Sequence, residues 1–307
     1  MLCSPTRASV TGAWSYEIVL TGSTLKPTEL GTQAPLLAYF GHHKAASTWL
    51  GDITREMSTS AGLRYAGVHS PRKFGGDLAG FVSSSRVEFL AYVNANHRHV
   101  SSLRNFRAFH VIRDPRDIVV SSYFSHLHSH PTDDWPELVG HRAELQRVDK
   151  EQGIYLVMDF IQDVLDDIAT WDYTSDRILE LKMEEVVRAP LDALVRAFTF
   201  VGLVDPDMPL PQRGVVKAMT TINRKVARVA LRTGQLPVSV AAGTIRRNAF
   251  AAKSDGRARG VEDVSNHYRK GVPGDWVNHL GPGHRRRFKQ GYGELLIQLG
   301  YESSMDW

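Results

Sequence analysis

The chain has 307 residues, of which 42% are hydrophobic and 23% charged; this balance fits a packed globular protein and excludes collagen-like, coiled-coil and low-complexity chains. A formal net charge of +4 suits an anionic ligand but is small for a nucleic-acid binder, whose basic residues would crowd one face. The one cysteine, Cys3, excludes an intramolecular disulfide, and the first residues lack the basic and apolar regions of a secretory signal, so the expected setting is the cytoplasm.

Residues 1–34 are rich in Ser, Thr, Gly and Pro without a sustained period and read as an extension, which leaves one folded domain over 35–307. From Pro35 onward short apolar runs alternate with helical patterns. Leu36–Phe40, Val87–Asn94, Phe106–Ile112 and Arg177–Met183 read as strands. Helices are predicted after Ser47, after Asp114-Pro115, over much of Pro136–Trp171, and over Pro190–Phe200 and Gly283–Leu299. Such alternation predicts an α/β fold: a single domain with a mainly parallel central sheet flanked by helices. Ligands of these sheets bind beyond the carboxyl ends of the strands. The stretch from Val204 to Arg247 fits this pattern poorly. Its basic run Ile222–Ala230 reads either as a solvated surface helix or as a flap over the substrate. No stretch approaches the roughly 20 apolar residues needed to span a bilayer.

Three segments carry chemistry. The first, Gly41-His42-His43-Lys44-Ala45-Ala46-Ser47-Thr48-Trp49, follows the strand Leu36–Phe40. A strand that turns tightly into a helix presents unpaired backbone N–H groups and the positive end of the helix dipole, which suits a phosphate. Lys44 adds a point charge, and Ser47 and Thr48 are placed to cap the helix and donate hydroxyl protons. This is P-loop-like but not a Walker A loop, since G-x-x-x-x-G-K-[ST] is absent. The second segment, Arg113-Asp114-Pro115-Arg116-Asp117-Ile118-Val119-Val120-Ser121, follows Phe106–Ile112. There the Arg113 guanidinium can fork onto phosphate oxygens and the Ser121 hydroxyl complete the cradle; Arg116 and Asp117 are expected to form local ion pairs. The third is Arg269-Lys270-Gly271-Val272-Pro273-Gly274-Asp275-Trp276. A capped helix start, a strand-end salt bridge and a solvated loop are the plain structural alternatives for the three.

Together the three segments, spanning residues 41–278, are similar to the nucleotide-binding signature of the sulfotransferases that use 3′-phosphoadenosine-5′-phosphosulfate (PAPS). The first resembles the family's Lys-x-Gly-[ST]-Thr-Trp loop, the second its Arg-[ND]-Pro-[KR]-Asp-x-x-x-Ser segment, and the third its RKGxxGDWKN element. The resemblance implies PAPS as co-substrate, 3′-phosphoadenosine-5′-phosphate (PAP) as product, and no metal. It implies that Lys44 contacts the oxygen bridging phosphate and sulfate. Lys44, Ala45, Ala46, Ser47 and Thr48 would hold the 5′-phosphate, and Trp49 would stack on adenine. Arg113, Ser121, Arg269, Lys270 and Gly271 would hold the 3′-phosphate, and Phe250 would lie against adenine. Departures from the family are Ala46 in place of glycine, Val277 in place of lysine and Leu280 in place of phenylalanine. A tyrosine expected near Met183-Glu184-Glu185 is missing.

The reaction implied is transfer of a sulfuryl group to a hydroxyl or amine of a small-molecule, lipid or carbohydrate acceptor, with a histidine as base. His97 and His99 are the candidates. His97 is preferred because it directly follows the strand Val87–Asn94, where its side chain would enter the cleft; a neutral imidazole suits the task. His126, His128 and His130 alternate, but no carboxylate or cysteine joins them in the sequence, so no metal site is expected there. The acceptor-choosing residues are expected within Val68–Phe89, His126–Val148 and Val204–Arg247. The family's dimerisation pattern is not recognisable around Lys253–Asn266, so a homodimer stays open. The rival classes are a P-loop-type small-molecule kinase and a non-catalytic nucleotide-binding protein with a degenerate site.

Overall fold

Alternating side chains on the first strand divide the core in two. In β1 (Leu36–Gly41), Tyr39 packs with Trp49, Leu50 and Phe109 on one side of the sheet, while Leu36, Ala38 and Phe40 pack with Leu90, Phe106 and Trp171 on the other. Burial on both faces is what a central parallel strand requires, because helices cover each side. The computed structural model describes residues 34–133, 135–226 and 230–307, so the extension expected over 1–34 lies outside the described residues apart from Ala34.

The other strands are β2 (Tyr65–Val68), β3 (Phe89–Tyr92), β4 (Phe106–Ile112) and β5 (Ile178–Lys182), all parallel, in the order β2-β3-β1-β4-β5. Helices α1 (Ser47–Ala61), α2 (Leu78–Ser84), α3 (His97–Val100), α4 (Pro115–Phe124), α5 (Glu137–Leu145), α6 (Lys150–Phe160) and α7 (Gln162–Ala169) precede β5. After it come α8 (Met183–Arg188), α9 (Pro190–Phe200), α10 (Leu210–Lys225), α11 (Val238–Arg247), α12 (Phe250–Lys253) and α13 (Pro282–Gln298). One face of the sheet is covered by α1, α9 and α11 through Ile53, Met57, Phe198 and Ile245. A second cluster joins α4, α6, α7 and α13 through Ile118, Val157, Leu165 and Leu296.

The expected single α/β domain with a mainly parallel, helix-flanked sheet is therefore observed. β4 and α9 coincide with their expected bounds. β3 is shorter than expected: Val93 to Asn96 form a turn whose last residue caps α3, accepting from the Arg98 amide at 2.9 Å. The edge strand β2 was not foreseen. Val204–Arg247 is mostly regular: α10 packs against α1, and Val204–Asp205 pairs with Leu236–Pro237. The basic run 222–230 is not one helix. α10 ends at Lys225, and the Asn223 amide is buried, donating to the carbonyls of Ser60 at 3.1 Å and Leu231 at 2.8 Å; residues 227–229 lie outside the described residues. Among the described residues, no helix is long and apolar enough to cross a membrane.

The order of strands creates the site. From β1 the chain turns toward the β2 edge, and after β3 it crosses to place β4 on the other side of β1. A crevice opens at such a reversal, beyond the carboxyl ends of β1 and β4. Gly41 lies opposite Val111 in the register, so the loops leaving the two strands start side by side.

Candidate functional site

The loop after β1 is built around two residues in the left-handed region, Lys44 and Ala46, each at φ 60°. Ala46, which stands where the resembled family has glycine, keeps the backbone conformation glycine favours, at a cost of roughly 1–2 kcal/mol for an L-residue. Ala46, not Ser47 or Thr48, is the N-cap of α1, and no side chain caps that helix. The amides of its first turn are therefore left for another acceptor. The Thr48 hydroxyl lies 3.0 Å from His267 Nε2, and the Trp49 indole donates to the Asn248 carbonyl at 2.6 Å, which fixes the ring as a wall.

Arg113 leaves β4 and reaches across. Its Nη1 donates to the Lys44 carbonyl at 2.9 Å, its Nη2 lies 3.8 Å from Asp117, and its buried Nε has no hydrogen-bond partner among the described residues. An unpartnered guanidinium N–H inside a protein is costly, so this cation is set for an anion. Asp114 caps α4 by accepting from the Arg116 amide at 2.9 Å, with Pro115 in the first turn. Arg116 forms the expected local pair with Asp114 at 2.8 Å, but also an ion pair with Glu302 and a stack 3.8 Å from the Trp276 ring. Asp117 does more than pair locally. It accepts from the Gly274 amide at 2.6 Å and the Trp276 amide at 2.9 Å, and so staples the third segment to the start of α4.

In that third segment Arg269 and Lys270 both pair with Asp275, at 2.6 and 2.5 Å. Burial alone would push the Asp275 carboxyl up, but hydrogen bonds from Lys270, Asn278 and Arg269 hold it well below the usual range. Gly271 sits at φ +69°, and a Cβ there would lie 2.4 Å from the Phe250 ring, so only glycine lets this backbone pass the aromatic.

These parts share one open cleft. Lys44, Ala46, Ser47, Thr48, Trp49, Arg113, Ser121, Phe250, Arg269, Lys270 and Gly271 line it, as the sequence expected; Ala45 is fully buried behind the loop. Among the described residues, none that line the cleft is acidic. Lys44 donates to the Ser125 hydroxyl at 2.8 Å, and burial, followed by the Arg113 and Arg269 charges, brings its ammonium down to about 7.

Comparison with known proteins assigns the architecture. No protein-family model matches the chain, and neither does any curated protein. Among solved structures, the mouse sulfotransferase SULT7A1 complexed with PAP aligns at a TM-score of 0.52 and 16% identity, over 86% of each chain. The fold is that of a sulfotransferase. Two further structures align at lower TM-scores and add nothing to that assignment. They are retinol dehydratase in complex with androsterone and PAP (0.42; 11% identity; 86% of this chain, 82% of that one) and a sulfotransferase from Alicyclobacillus acidocaldarius (0.29; 13%; 62% and 93%).

Within this sulfotransferase fold, both expected base candidates stand outside the cleft lining. Because β3 ends at Tyr92, the chain turns away before it reaches them. The His97 ring meets Trp171 at 6.1 Å, and His99 Nδ1 lies 2.9 Å from the Tyr92 hydroxyl. Three other histidines line the cleft instead: His43, His130 and His267. Met183 and Val187 occupy the wall where the tyrosine was missed, and Tyr268, Arg259 and Val272 also contribute. Of these, the sequence pointed to His130, within the stretch expected to choose the acceptor, and to Met183, beside the missing tyrosine; His43 and Tyr268 were given no role, although His43 directly precedes Lys44 and Tyr268 directly precedes Arg269. Among the described residues, none of 204–247 lines the cleft, and of 126–148 only His130 does.

Proposed function

We propose that the protein is a PAPS-dependent sulfotransferase, moving a sulfuryl group from PAPS to a hydroxyl of a small acceptor. The observation that carries this reading is the meeting of Lys44 and Arg113, from different loops, in an acid-free cleft that Arg269, Lys270 and Gly271 complete. Cations from three chain segments that line one cleft fit a nucleotide phosphorylated at both ends, and ATP has no 3′-phosphate for Arg113, Arg269 and Lys270 to hold. The residues also fit the ligand singly. Among the described residues the Arg113 Nε has no partner, the first turn of α1 has no side-chain cap, and the Phe250 and Trp49 rings line the cleft and can flank a flat base. Met183 and Val187 give the adenine an apolar wall in place of the missing tyrosine.

In this reading Arg113, Ser121, Arg269, Lys270 and the Gly271 amide hold the 3′-phosphate. Lys44, Ser47, Thr48 and the loop amides hold the 5′ end. Sulfuryl transfer passes through a loose transition state with charge building on the leaving oxygen, as phosphoryl transfer does. Lys44 is the cation positioned for that charge, so preorganised electrostatics supply most of the rate.

Calorimetry with PAP, AMP and ATP tests the nucleotide. Tight binding of PAP alone supports the proposal, and tighter binding of ATP favours a kinase. Transfer of labelled sulfate from PAPS to an acceptor then separates an enzyme from a nucleotide-binding scaffold.

A further inference from the structure

A cluster of rings beside Lys44 is unused by nucleotide binding. His43 Nε2 lies 3.0 Å from Nε2 of His126, a fully buried residue on the π-helical turn Ser125–Ser129. The turn is clamped by Arg142, which donates to the carbonyls of His126 and His130 at 2.5 and 2.6 Å. It is also tied to the phosphate loop by the bond from Lys44 to Ser125. Around His43 stand the rings of His126 at 5.3 Å, His130 at 5.3 Å and Trp135 at 5.4 Å. His43 and His130 both line the cleft, next to the cation proposed to face the departing oxygen.

We infer that His43 is the catalytic base, that His126 positions it, and that the acceptor is a phenol whose ring docks against His130. This rests on the sulfotransferase reading and deepens it. With Nε2–H donated to His126, the His43 ring presents Nδ1 as a lone pair. The phenolic oxygen attacks sulfur, the bond from sulfur to the 5′-phosphate oxygen breaks with its electron pair going to that oxygen beside Lys44, and the phenolic proton passes to Nδ1. Burial, together with His126, Lys44, His130 and His267, keeps the His43 ring neutral and weakly basic. The His130 ring, 5.3 Å from the His43 ring and also lining the cleft, offers an aromatic acceptor a face beside the base.

The test uses the full chain with PAPS and two acceptors at about pH 8: phenol, which carries its proton there, and 4-nitrophenol, which is already largely ionised and needs no base. His43→Ala is expected to lose about 10²- to 10⁴-fold with phenol, less than about tenfold with 4-nitrophenol, and to change PAP affinity by less than about threefold. His126→Leu should show the same acceptor-dependent loss, and His126→Gln should restore most of it, because an amide oxygen can accept the His43 N–H. Equal losses on both acceptors, no loss with phenol, or transfer only to aliphatic alcohols by a wild-type protein that binds PAP would each overturn the inference. Failure of the wild type to bind PAP would overturn the sulfotransferase reading itself.

Discussion

Lys44 allows the nucleotide proposal to be tested without knowledge of the acceptor. Its ammonium is brought down to about 7 by burial and by the Arg113 and Arg269 charges. A bound bisphosphate supplies negative charge at close range and restores the ammonium, so binding above neutrality draws a proton from solution. The ligand's own phosphates lose their last protons near pH ~6, which leaves a clean window above about 7.5. Within it PAP affinity should fall by up to about tenfold per pH unit, or roughly 30-fold between about 7.5 and 9, equivalent to about 2 kcal/mol. Isothermal titration in two buffers of different ionisation enthalpy reads both the affinity and the proton taken up, expected to approach one per ligand. Lys44→Met should bind more weakly at pH 7.5 and lose the slope. Unfolding gives the companion signal: with a lysine depressed to about 7 from 10.5, stability rises as pH climbs through that interval. A flat wild-type profile, or a slope that survives in Lys44→Met, would refute the reasoning.

Three further outcomes follow from the same geometry. Gly271→Ala would push a methyl group to 2.4 Å from the Phe250 ring at φ +69°, so PAP affinity should drop about tenfold or more and stability by about 1–3 kcal/mol, read by calorimetry and urea unfolding. Asp117→Ala would strip the acceptor from the Gly274 and Trp276 amides and the counter-charge from Arg113, costing about 3–5 kcal/mol of unfolding free energy. Ala46→Gly should raise stability by up to about 1 kcal/mol, because relief of the left-handed strain exceeds the added backbone entropy, while PAP binding is retained.

What the sequence revealed depended on whether a signal was local. β4 and α4 carried every local mark at once: an apolar run, then Asp114 as cap and Pro115 in the first helical turn. β2 carried none, since Tyr65, Ala66, Gly67 and Val68 form an edge strand, half-buried at its first two residues, exposed at Gly67 and buried at Val68, without apolar alternation. The three segments proposed to hold the phosphates were legible as motifs, and their convergence was implied by family resemblance rather than by any property of the residues alone. The base illustrates the limit. Placing His97 in the cleft assumed that β3 ran to Asn94; two residues fewer of strand carry that side chain to Trp171 instead. His43 was hidden for the opposite reason. Its neighbours Lys44 and Ala46 marked the loop, but its bond to His126 spans 83 residues and arises only where the π-helical turn is folded back by Arg142. A contact of that kind has no local signature. The two histidines acquire a role only because strand order β3-β1-β4 brings the loop after β1 against the end of α4.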